Sequence, residues 1–331
     1  MPAIDSTTLV LTRRDIAQLM TREDYLRAAE IAFRALALGE VAAPLPMHLH
    51  GDGGAFHVKG ASLRGLGAIK LNGNFPENPE RNGLPTIQGA ILLADATNGA
   101  LLAVMDSIGI TLERTAAASA LAARHLARPG SSRAAICGCG EQGRVQLAAL
   151  ASVFSLDDVQ AWDRDFGRAR DYALEMTGAL GVAVHATDAL EAATLNADII
   201  VTCTTARSPF LGPDHVRPGT FIAAIGADNP GKSEIAPELM ARSKIVVDVL
   251  DQCVAMGDLH HAVEAGAVAA SDVCADLGQV VTGRRDGRRS AEEIWIFDST
   301  GTAAQDVAAA AEVYARALER GAGLRVSLGA P

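Results

Sequence analysis

The fold is decided by the stretch Ala134-Ala135-Ile136-Cys137-Gly138-Cys139-Gly140-Glu141-Gln142-Gly143, in which a short apolar strand runs into the pattern Gly-x-Gly-x-x-Gly. Residues 144–150 continue it with a helix-forming sequence. In this order Gly138 allows a tight turn, Gly140 lets the backbone approach a pyrophosphate, and Gly143 permits close packing of helix against strand. The N-terminus of the following helix favours an anion through its free N–H groups and its dipole. An ordinary glycine-rich turn is the alternative, but the strand–glycine–helix order favours a dinucleotide-binding loop.

A second apolar segment, residues 159–162, ends at Asp163, about 20 residues beyond the last glycine of the pattern. An acid at this offset accepts hydrogen bonds from the adenosine ribose hydroxyls and repels a 2′-phosphate. Arg164 stands beside it and softens that preference without cancelling it. The sequence therefore predicts NAD(H) as the cofactor, with NADP(H) less suitable.

Composition and charge restrict the class of protein. The chain has 331 residues, enough for two domains, and 49% of them are apolar while 21% are charged, as in globular proteins. A net charge of −10 argues against a nucleic-acid partner and against binding to an anionic membrane. Residues 1–11 lack the pattern of a signal peptide, and no apolar run reaches transmembrane length. Five cysteines, an odd number, indicate free thiols, so we expect a cytoplasmic protein.

The first third of the chain predicts a mixed α+β domain. Thr21-Arg22-Glu23-Asp24 is typical of a capped helix start, and Pro44 and Pro46 end that element. Strand-like segments follow at 55–59, 67–71, 86–94 and 101–106, the last two joined by a turn that contains Asn98-Gly99. We expect these strands to be mainly antiparallel.

The remainder predicts a Rossmann-type, doubly wound parallel sheet. An alanine-rich helix over 114–128, beginning at Arg114 and stopped by Pro129-Gly130, connects the domains. Further strands at 182–186, 198–203, 220–225, 244–249 and 294–297 alternate with helical segments. A last alanine-rich helix at 303–318 is expected to pack back on the first domain. The predicted α/β chain thus has a discontinuous α+β domain for substrate binding and dimerisation, 1–128 with 304–331, and a dinucleotide-binding domain, 129–303.

Ligands of such sheets bind at the carboxyl ends of the strands, where two loops carry polar residues. Thr202-Cys203-Thr204-Thr205 follows one strand, and residues 225–232 follow the next. Asp228 in the second loop is a candidate to exchange a proton with an amino or imino nitrogen during hydride transfer. The alternative is a turn residue before Pro230-Gly231, since Asp commonly starts turns.

Cations in the first domain are candidates for holding a substrate. Arg114 suits a bidentate contact to a carboxylate, and Lys59 and Lys70 lie on two successive predicted strands. Each of them alone is more often a solvated surface charge. We interpret Cys137 and Cys139 as small residues in a tight loop. Their spacing does not complete a metal site, and neither does the spacing of the histidines, so no metal is expected. The histidines considered are His57, His260 and His261.

Several motifs in the same order resemble the ornithine cyclodeaminase/mu-crystallin family, and most closely its amino-acid dehydrogenase and imine reductase members. The motifs are Lys70-Leu71-Asn72-Gly73-Asn74-Phe75-Pro76, Gly83-Leu84-Pro85-Thr86, Leu102-Ala103-Val104-Met105-Asp106, Arg114-Thr115-Ala116-Ala117-Ala118-Ser119, residues 138–146, Ile225-Gly226-Ala227-Asp228-Asn229-Pro230-Gly231-Lys232-Ser233-Glu234, and Phe297-Asp298-Ser299-Thr300-Gly301.

The resemblance implies a two-domain NAD(P)-dependent enzyme that forms a homodimer through its first domain. It assigns substrate contacts to Lys70 and Arg114 and proton transfer to Asp228. Together with the glycine pattern it gives the expected cofactor contacts, which are Gly138, Gly140, Glu141, Gln142, Gly143, Asp163, Arg164, Thr202, Thr204, Ile225, Ser299 and Gly301. One departure concerns the segment 46–48, where the family commonly has a basic residue and this chain has Met47 and His48. We expect Lys59 to supply that charge.

Three functions remain open from the sequence. The leading one is an NAD(H)-dependent oxidoreductase acting on the Cα–N bond of a small α-amino or α-imino acid, that is, an amino-acid dehydrogenase or an imine reductase. The second is a cyclodeaminase of the ornithine type, which releases ammonia. The third is a non-catalytic, nucleotide-dependent binding protein of the mu-crystallin type.

Overall fold

The computed structural model describes residues 7–43 and 46–328, so the predictions made for residues 1–6 and for Pro44 lie outside the described residues. The chain divides into two compact units. The first runs to Arg114 and resumes at Thr302, and the second is Thr115–Gly301. The predicted domain boundaries, 128/129 and 303/304, stay a prediction. No helix in the described part of the chain is long and apolar enough to cross a membrane.

The strands are β1 (Thr7–Leu11), β2 (Val41–Ala42), β3 (Met47–Gly51), β4 (Gly54–Leu63), β5 (Leu66–Asn74), β6 (Ile87–Asp95), β7 (Leu101–Asp106), β8 (Arg133–Cys137), β9 (Asp158–Trp162), β10 (Val184–Thr187), β11 (Ile199–Thr202), β12 (Arg207–Leu211), β13 (Phe221–Ala224), β14 (Ser233–Ile235), β15 (Lys244–Val247), β16 (Ala275–Asp276), β17 (Trp295–Asp298) and β18 (Leu324–Ser327).

The helices are α1 (Arg13–Leu19), α2 (Arg22–Leu38), α3 (Asn78–Asn82), α4 (Ser107–Leu126), α5 (Glu141–Val153), α6 (Phe166–Leu180), α7 (Leu190–Thr194), α8 (Pro237–Ala241), α9 (Leu250–Ala255), α10 (Asp258–Glu264), α11 (Leu277–Val281) and α12 (Ala303–Arg320). Short 3₁₀ turns lie at Pro213–His215 and Ala270–Asp272.

The first unit is built on one mainly antiparallel sheet, in the order β18-β1-β7-β6-β5-β4-β2, with β3 paired to β4. Only the pairing of β1 with β7 is parallel among the described strands of this sheet. Helices α2 and α12 pack on each other, and α12 also packs on β4, β5 and β6. The mixed α+β character of this part and its last alanine-rich helix are as predicted.

The β4–β5 hairpin is longer than the predicted segments 55–59 and 67–71. Leu63 pairs with Leu66, so Arg64 and Gly65 form a two-residue turn, with φ of 50° and 79°. Positive φ at both turn positions matches the right-handed twist of the flanking strands, which favours a tight hairpin. Cross-strand pairing therefore extends both strands through residues that have weak strand patterns of their own.

The connecting helix begins earlier than predicted, which corrects the position expected for Arg114. The helix α4 starts at Ser107, so Arg114 lies within it and not at its start. Residues 107–113 include β-branched side chains and a glycine, which are poor helix formers. Asp106 compensates at the N-terminus, because its Oδ1 accepts hydrogen bonds from the N–H groups of Ile108 (3.1 Å) and Gly109 (3.0 Å).

The second unit confirms the doubly wound, Rossmann-type sheet. Its strands are all parallel, in the order β10-β9-β8-β11-β13-β17-β15-β16. The strand order reverses at β8, so β9 and β11 lie on its two sides, and such a switch point is where open α/β sheets bind their ligands. The central strands β11 and β13 are wholly buried and, except for Thr202, apolar, as expected for strands covered on both faces.

Candidate functional site

The glycine loop after β8 has the geometry that a pyrophosphate requires. Gly138 has φ of +110°, and a Cβ there would lie 2.8 Å from the carbonyl oxygen of Cys203. A Cβ on Gly143 would lie 2.2 Å from the carbonyl oxygen of Gly138, so helix and strand are in close contact. A Cβ on Gly140 would meet nothing within 4 Å, and Gly140 is the N-cap of α5. The loop therefore offers open space at the N-terminus of a helix, which suits the phosphates of a dinucleotide.

The side chains around this loop are already partly engaged. Asp163 is half-buried, and its two oxygens accept hydrogen bonds from the N–H groups of Cys139 (2.9 Å) and Asp165 (3.0 Å). Each carboxylate oxygen keeps capacity for a further donor, such as a ribose hydroxyl. Arg164 and Glu141 are exposed. Cys137, the last residue of β8, and Cys139 are both buried, which is consistent with small residues that fill a tight space.

The loops that follow β11 and β13 are joined by Glu234, which was not among the predicted site residues. Thr204, in the loop after β11, donates both its N–H and its hydroxyl to Oε1 of Glu234, each at 2.6 Å. Gly226, in the loop after β13, donates its N–H to Oε2 of the same carboxylate at 2.8 Å. Two further predicted cofactor contacts are buried: Thr202, the last residue of β11, and Ile225, the first residue after β13.

Asp228 lies in the loop after β13 and has an exposed side chain. Its Oδ1 is 2.8 Å from Nζ of Lys232 and accepts a hydrogen bond from Nδ2 of Asn229 at 3.0 Å. His261, on α10, places Nε2 2.8 Å from the carbonyl oxygen of Lys232, which ties this loop to the helix. A carboxylate that is exposed and paired with a lysine is accessible for proton exchange.

The loop after β17 carries the predicted residues Ser299 and Gly301. The hydroxyl of Ser299 (3.0 Å) and the N–H of Gly301 (2.6 Å) both donate to Oδ2 of Asp248, a buried residue at the end of β15. Gln252 donates to the carbonyl oxygen of Gly301 at 2.8 Å. The loop is therefore held in place by side chains of the same unit.

In the first unit, Lys70 and Arg114 meet a carboxylate that the sequence analysis did not identify. Asp306, on α12, lies 2.7 Å from Nζ of Lys70 and 3.0 Å from Nε of Arg114. The three side chains are nearly inaccessible, with exposures of 5%, 7% and 3% for Lys70, Arg114 and Asp306. Lys59 lies directly opposite Lys70 in the β4–β5 register, so both point to the same face of the sheet.

The electrostatics of this cluster are unbalanced, since two buried cations, Lys70 and Arg114, contact one buried carboxylate, and the charge of Lys59 also acts on the cluster. Burial lowers the pKa of Lys70 to about 7, against the charge of Asp306, which raises it, while Arg114 and Lys59 lower it further. Burial raises the pKa of Asp306, but the charges of Lys70 and Arg114 outweigh it, so that pKa lies below its usual value. The cluster has an excess of positive charge that a bound anion would compensate.

The segment that departs from the family pattern lies on the same sheet. His48 pairs with His57 in the β3–β4 register, and their Nδ1 atoms are 2.8 Å apart. His57 and Lys59 are two residues apart on one strand, so they share the face that carries Lys70. Met47 is exposed on the opposite face.

One cluster of histidines was not indicated by spacing. His260, His261 and Glu264 on α10 each offer a ligand atom, and these atoms lie within 4.8 Å of one another. Nδ1 of His260 lies 3.0 Å from the carbonyl oxygen of Val254, and Glu264 is exposed.

The residues that were missed are buried acids, for which the sequence had one usable signal. Asp306 interrupts a run of small apolar residues in α12, and an acid among buried alanines needs a cationic partner. Glu234, by contrast, follows polar residues in a loop and has no such context. Its partners come from loops 8 and 30 residues away, and only the tertiary structure brings them together.

Comparisons with known proteins agree with this architecture. Residues 6–321 match the model of the ornithine cyclodeaminase/mu-crystallin family. The alanine dehydrogenase of Archaeoglobus fulgidus is 39% identical over 319 residues, which cover 96% of this chain and 98% of that protein.

Two solved structures are similar over nearly the whole length. An archaeal alanine dehydrogenase dimer with bound NAD has a TM-score of 0.94 and 38% identity, with 98% of this chain and 100% of that chain covered. The Δ1-pyrroline-2-carboxylate reductase of Thermococcus litoralis, in complex with NADH and L-proline, has a TM-score of 0.92 and 32% identity, with 96% and 100% covered. A family match across both units, together with relatives of this identity and coverage, shows that the chain belongs to the ornithine cyclodeaminase/mu-crystallin family.

Proposed function

We propose that this protein is an NAD(H)-dependent oxidoreductase that acts on the Cα–N bond of a small α-amino or α-imino acid. This proposal is supported by the names of similar proteins, which are alanine dehydrogenase and Δ1-pyrroline-2-carboxylate reductase. The two similar structures contain bound NAD and NADH, respectively. These names share a substrate class, an α-amino acid or the corresponding imine, and differ in the side chain. The proposal therefore covers the class of substrate and leaves the side chain to experiment.

The observation that carries the proposal is the charge imbalance in the first unit. Two almost completely buried cations, Lys70 and Arg114, contact one buried carboxylate, that of Asp306. A substrate carboxylate supplies the missing negative charge. Arg114 donates Nε to Asp306 and Nη1 to Oε1 of Gln305, so the other N–H groups of its guanidinium are the ones suited to a substrate carboxylate.

Lys70 has a second use in this proposal. A lysine with a pKa of about 7 is poised to change protonation state near neutral pH, which is the property that acid–base catalysts need. A bound carboxylate raises that pKa again, because an opposite charge favours the ammonium form. Lys70 is then a cation that neutralises the substrate and polarises the reacting nitrogen.

In the second unit, Gly138, Gly140 and Gly143 hold the pyrophosphate, and Asp163 accepts hydrogen bonds from the adenosine ribose. When bound, the nicotinamide supplies the hydride that Cα receives, or accepts it in the reverse direction. Asp228 gives the proton that the nitrogen gains during reduction and takes it back during oxidation. The carboxylate of Asp228 is exposed beside Lys232, so it can exchange this proton with solvent.

The test is a substrate screen that follows NADH fluorescence. α-Keto acids are supplied with ammonia or methylamine, and preformed cyclic imines are supplied alone. NADH oxidation with at least one of them is the expected result. Release of ammonia from ornithine without net change in NADH would favour a cyclodeaminase instead, and NADH binding without any turnover would favour a binding protein.

We also infer that the protein is a homodimer assembled through the first unit. The face of its sheet opposite Lys59 and Lys70 is apolar, and its exposed side chains include Leu49 (49%), Ile69 (52%) and Leu71 (44%). Exposed apolar surface on a sheet marks an interaction site, and a second copy of the chain offers a complementary surface.

The oligomeric state in solution tests this inference. By light scattering after size exclusion, the wild type is expected to be a dimer and Ile69→Asp a monomer. Leu174→Asp is the matched control, since Leu174 is 72% exposed on α6 of the other unit. A monomeric wild type, or a dimer that is unaffected by Ile69→Asp, would contradict the inference.

A further inference from the structure

Glu234, in β14 of the second unit, connects two of the loops that carry predicted site residues. It is completely buried, and its carboxylate accepts hydrogen bonds from two different loops. Oε1 receives the N–H and hydroxyl of Thr204, both at 2.6 Å, and Oε2 receives the N–H of Gly226 at 2.8 Å. These loops follow β11 and β13, which are neighbours in the sheet, so one side chain links the carboxyl ends of two strands.

The loop that carries Asp228 lies directly against this carboxylate. A Cβ on Gly226 would lie 2.5 Å from Cδ and Oε1 of Glu234 and 2.6 Å from Oε2, so any side chain at 226 would displace that carboxylate. Asp228 is two residues further on, and its N–H donates to the carbonyl oxygen of Gly226 at 3.1 Å. Any movement of the Glu234 carboxylate is therefore transmitted to the backbone that carries Asp228.

Glu234 is itself fixed from behind. The N–H groups of Glu234 and Ile235 donate to Oδ1 of Asp258 at 2.7 Å and 2.9 Å, which anchors β14 to the start of α10. Asp298, at the end of β17, in turn accepts the N–H of Leu259 at 2.9 Å. A row of buried carboxyl groups thus runs behind the loops at the carboxyl edge of the sheet.

We propose that Glu234 is a positioning residue for the reaction, whose ionised carboxylate holds the loop with Asp228 and the loop with Thr204 in their working arrangement. This inference rests on the proposed function, because it concerns the placement of the proposed proton donor. Glu234 need not touch substrate or cofactor, and its effect is exerted through Gly226 and Thr204.

The hydrogen bonds to Glu234 are strongest in its ionised form. A carboxylate accepts all three donors, and a charged acceptor holds a hydrogen bond more strongly than a neutral carboxyl oxygen does. Protonation also adds an O–H group, which reverses the hydrogen bond with the hydroxyl of Thr204. Protonation of Glu234 therefore weakens the contacts to Thr204 and Gly226 and loosens the two loops.

Ionisation of Glu234 is balanced near neutral pH. Burial raises its pKa to about 7, assisted by the charge of Asp258 and opposed by the hydrogen bonds from Thr204. The titratable groups that surround it are Asp258, whose pKa burial raises to about 6, and the thiols of Cys137 and Cys203, whose pKa values burial raises well above their usual range. Beyond Asp258, burial also raises the pKa of Asp298. The loops are thus expected to loosen as the pH falls through about 7.

The first experiment compares Glu234→Gln with the wild type as a function of pH. In the wild type we expect kcat with the substrate found by the screen to fall as the pH drops through about 7. The glutamine amide places an NH₂ group against a donor at every pH. The kcat should therefore drop about 10–100-fold, which is the effect expected when a catalytic group is misplaced, and it should no longer fall below about pH 7. Glu238→Gln, an exposed glutamate on α8 four residues along the chain, is the control and should match the wild type.

The second experiment changes the donor and keeps Glu234. The hydroxyl of Thr204 lowers the pKa of Glu234, so Thr204→Val should move the acidic limb to higher pH, while Thr204→Ser should leave it in place. This shift is a readout that a purely structural role would not produce, and it does not depend on Glu234→Gln folding. Unshifted limbs in both variants would overturn the proposal.

The third measurement is independent of turnover. Amide hydrogen exchange over residues 203–206 and 225–232 of the cofactor-free protein, corrected for the intrinsic pH dependence, should show protection that is lost below about pH 7 in the wild type. Protection in Glu234→Gln should be low at every pH. If the substrate screen fails but this pattern is found, the loop function of Glu234 stands without the proposed reaction; if protection is independent of pH, the inference is wrong whatever the enzyme does.

Discussion

Asp306→Asn should destabilise the first unit strongly, because Asp306 pairs with the buried cations Lys70 and Arg114 at 2.7 Å and 3.0 Å. Asparagine keeps the size of the side chain, so no cavity forms and the loss is electrostatic. Removing one partner of a buried ion pair costs about 3–5 kcal/mol, since it leaves an uncompensated charge. That is a large share of the roughly 5–15 kcal/mol by which a protein is stable.

The loss should depend on pH through Lys70. Its folded pKa of about 7 lies below the ordinary value of 10.5, so between these values the unfolded chain binds a proton that the folded chain does not, and stability rises with pH. Loss of the Asp306 charge lowers the pKa of Lys70 further. The variant therefore bears the unpaired charge in acid, and the difference from the wild type should shrink as the pH rises toward about 7 and stay constant above it.

Urea and thermal unfolding at pH 6 and pH 9 measure this difference. At about 2–4 °C for each kcal/mol, the expected fall in Tm at pH 6 is roughly 6–20 °C. Glu30→Gln is the control in the same unit, because it breaks the exposed pair of Arg34 and Glu30 at 3.1 Å and should cost no more than about 0.5 kcal/mol. An Asp306→Asn protein that lost less than about 1 kcal/mol, equally at both pH values, would refute the charge imbalance on which the substrate site rests.

Three further predictions concern the proposed reaction. Arg114→Ala should raise the KM of the amino or imino acid about 10–100-fold in steady-state kinetics, because charge-assisted hydrogen bonds are lost, and should leave the Kd of NADH unchanged in fluorescence titration. A weakened NADH affinity with an unchanged KM would contradict the substrate role of Arg114. Asp228→Asn should lower the rate of hydride transfer by about 10²–10⁴-fold in stopped-flow fluorescence, while the exposed control Asp214→Asn keeps the wild-type rate. Retention of more than about a third of the rate would leave Asp228 as a turn residue. NADH should bind at least about tenfold more tightly than NADPH, or roughly 1.4 kcal/mol, because of Asp163, and equal Kd values would contradict that assignment.

Local sequence was sufficient for the features that depend on neighbouring residues. Glycine is required at 138 and 143 by contacts within one turn and with the next loop, and Gly140 leaves open space at the helix N-terminus, so the local pattern was enough to predict a dinucleotide loop. The capping box at Thr21 and Asp24 involves residues three apart, and it begins α2 as predicted. The alternation of apolar strands with helices similarly determined the parallel sheet, since right-handed crossovers leave few other topologies.

The tertiary structure alone decided the charges and the exact setting of the loops. Arg114 and Asp306 are 192 residues apart in the chain, and Glu234 and Thr204 are 30 apart, so no local pattern connects them. The sequence could name cations and acids as candidates, but the state of a charge depends on burial and on partners that folding brings within hydrogen-bonding distance. Sequence therefore determined the dinucleotide-loop pattern and the family motifs. Folding determined which acids are buried and which cations lie against them, and hence where we propose that an anionic substrate binds.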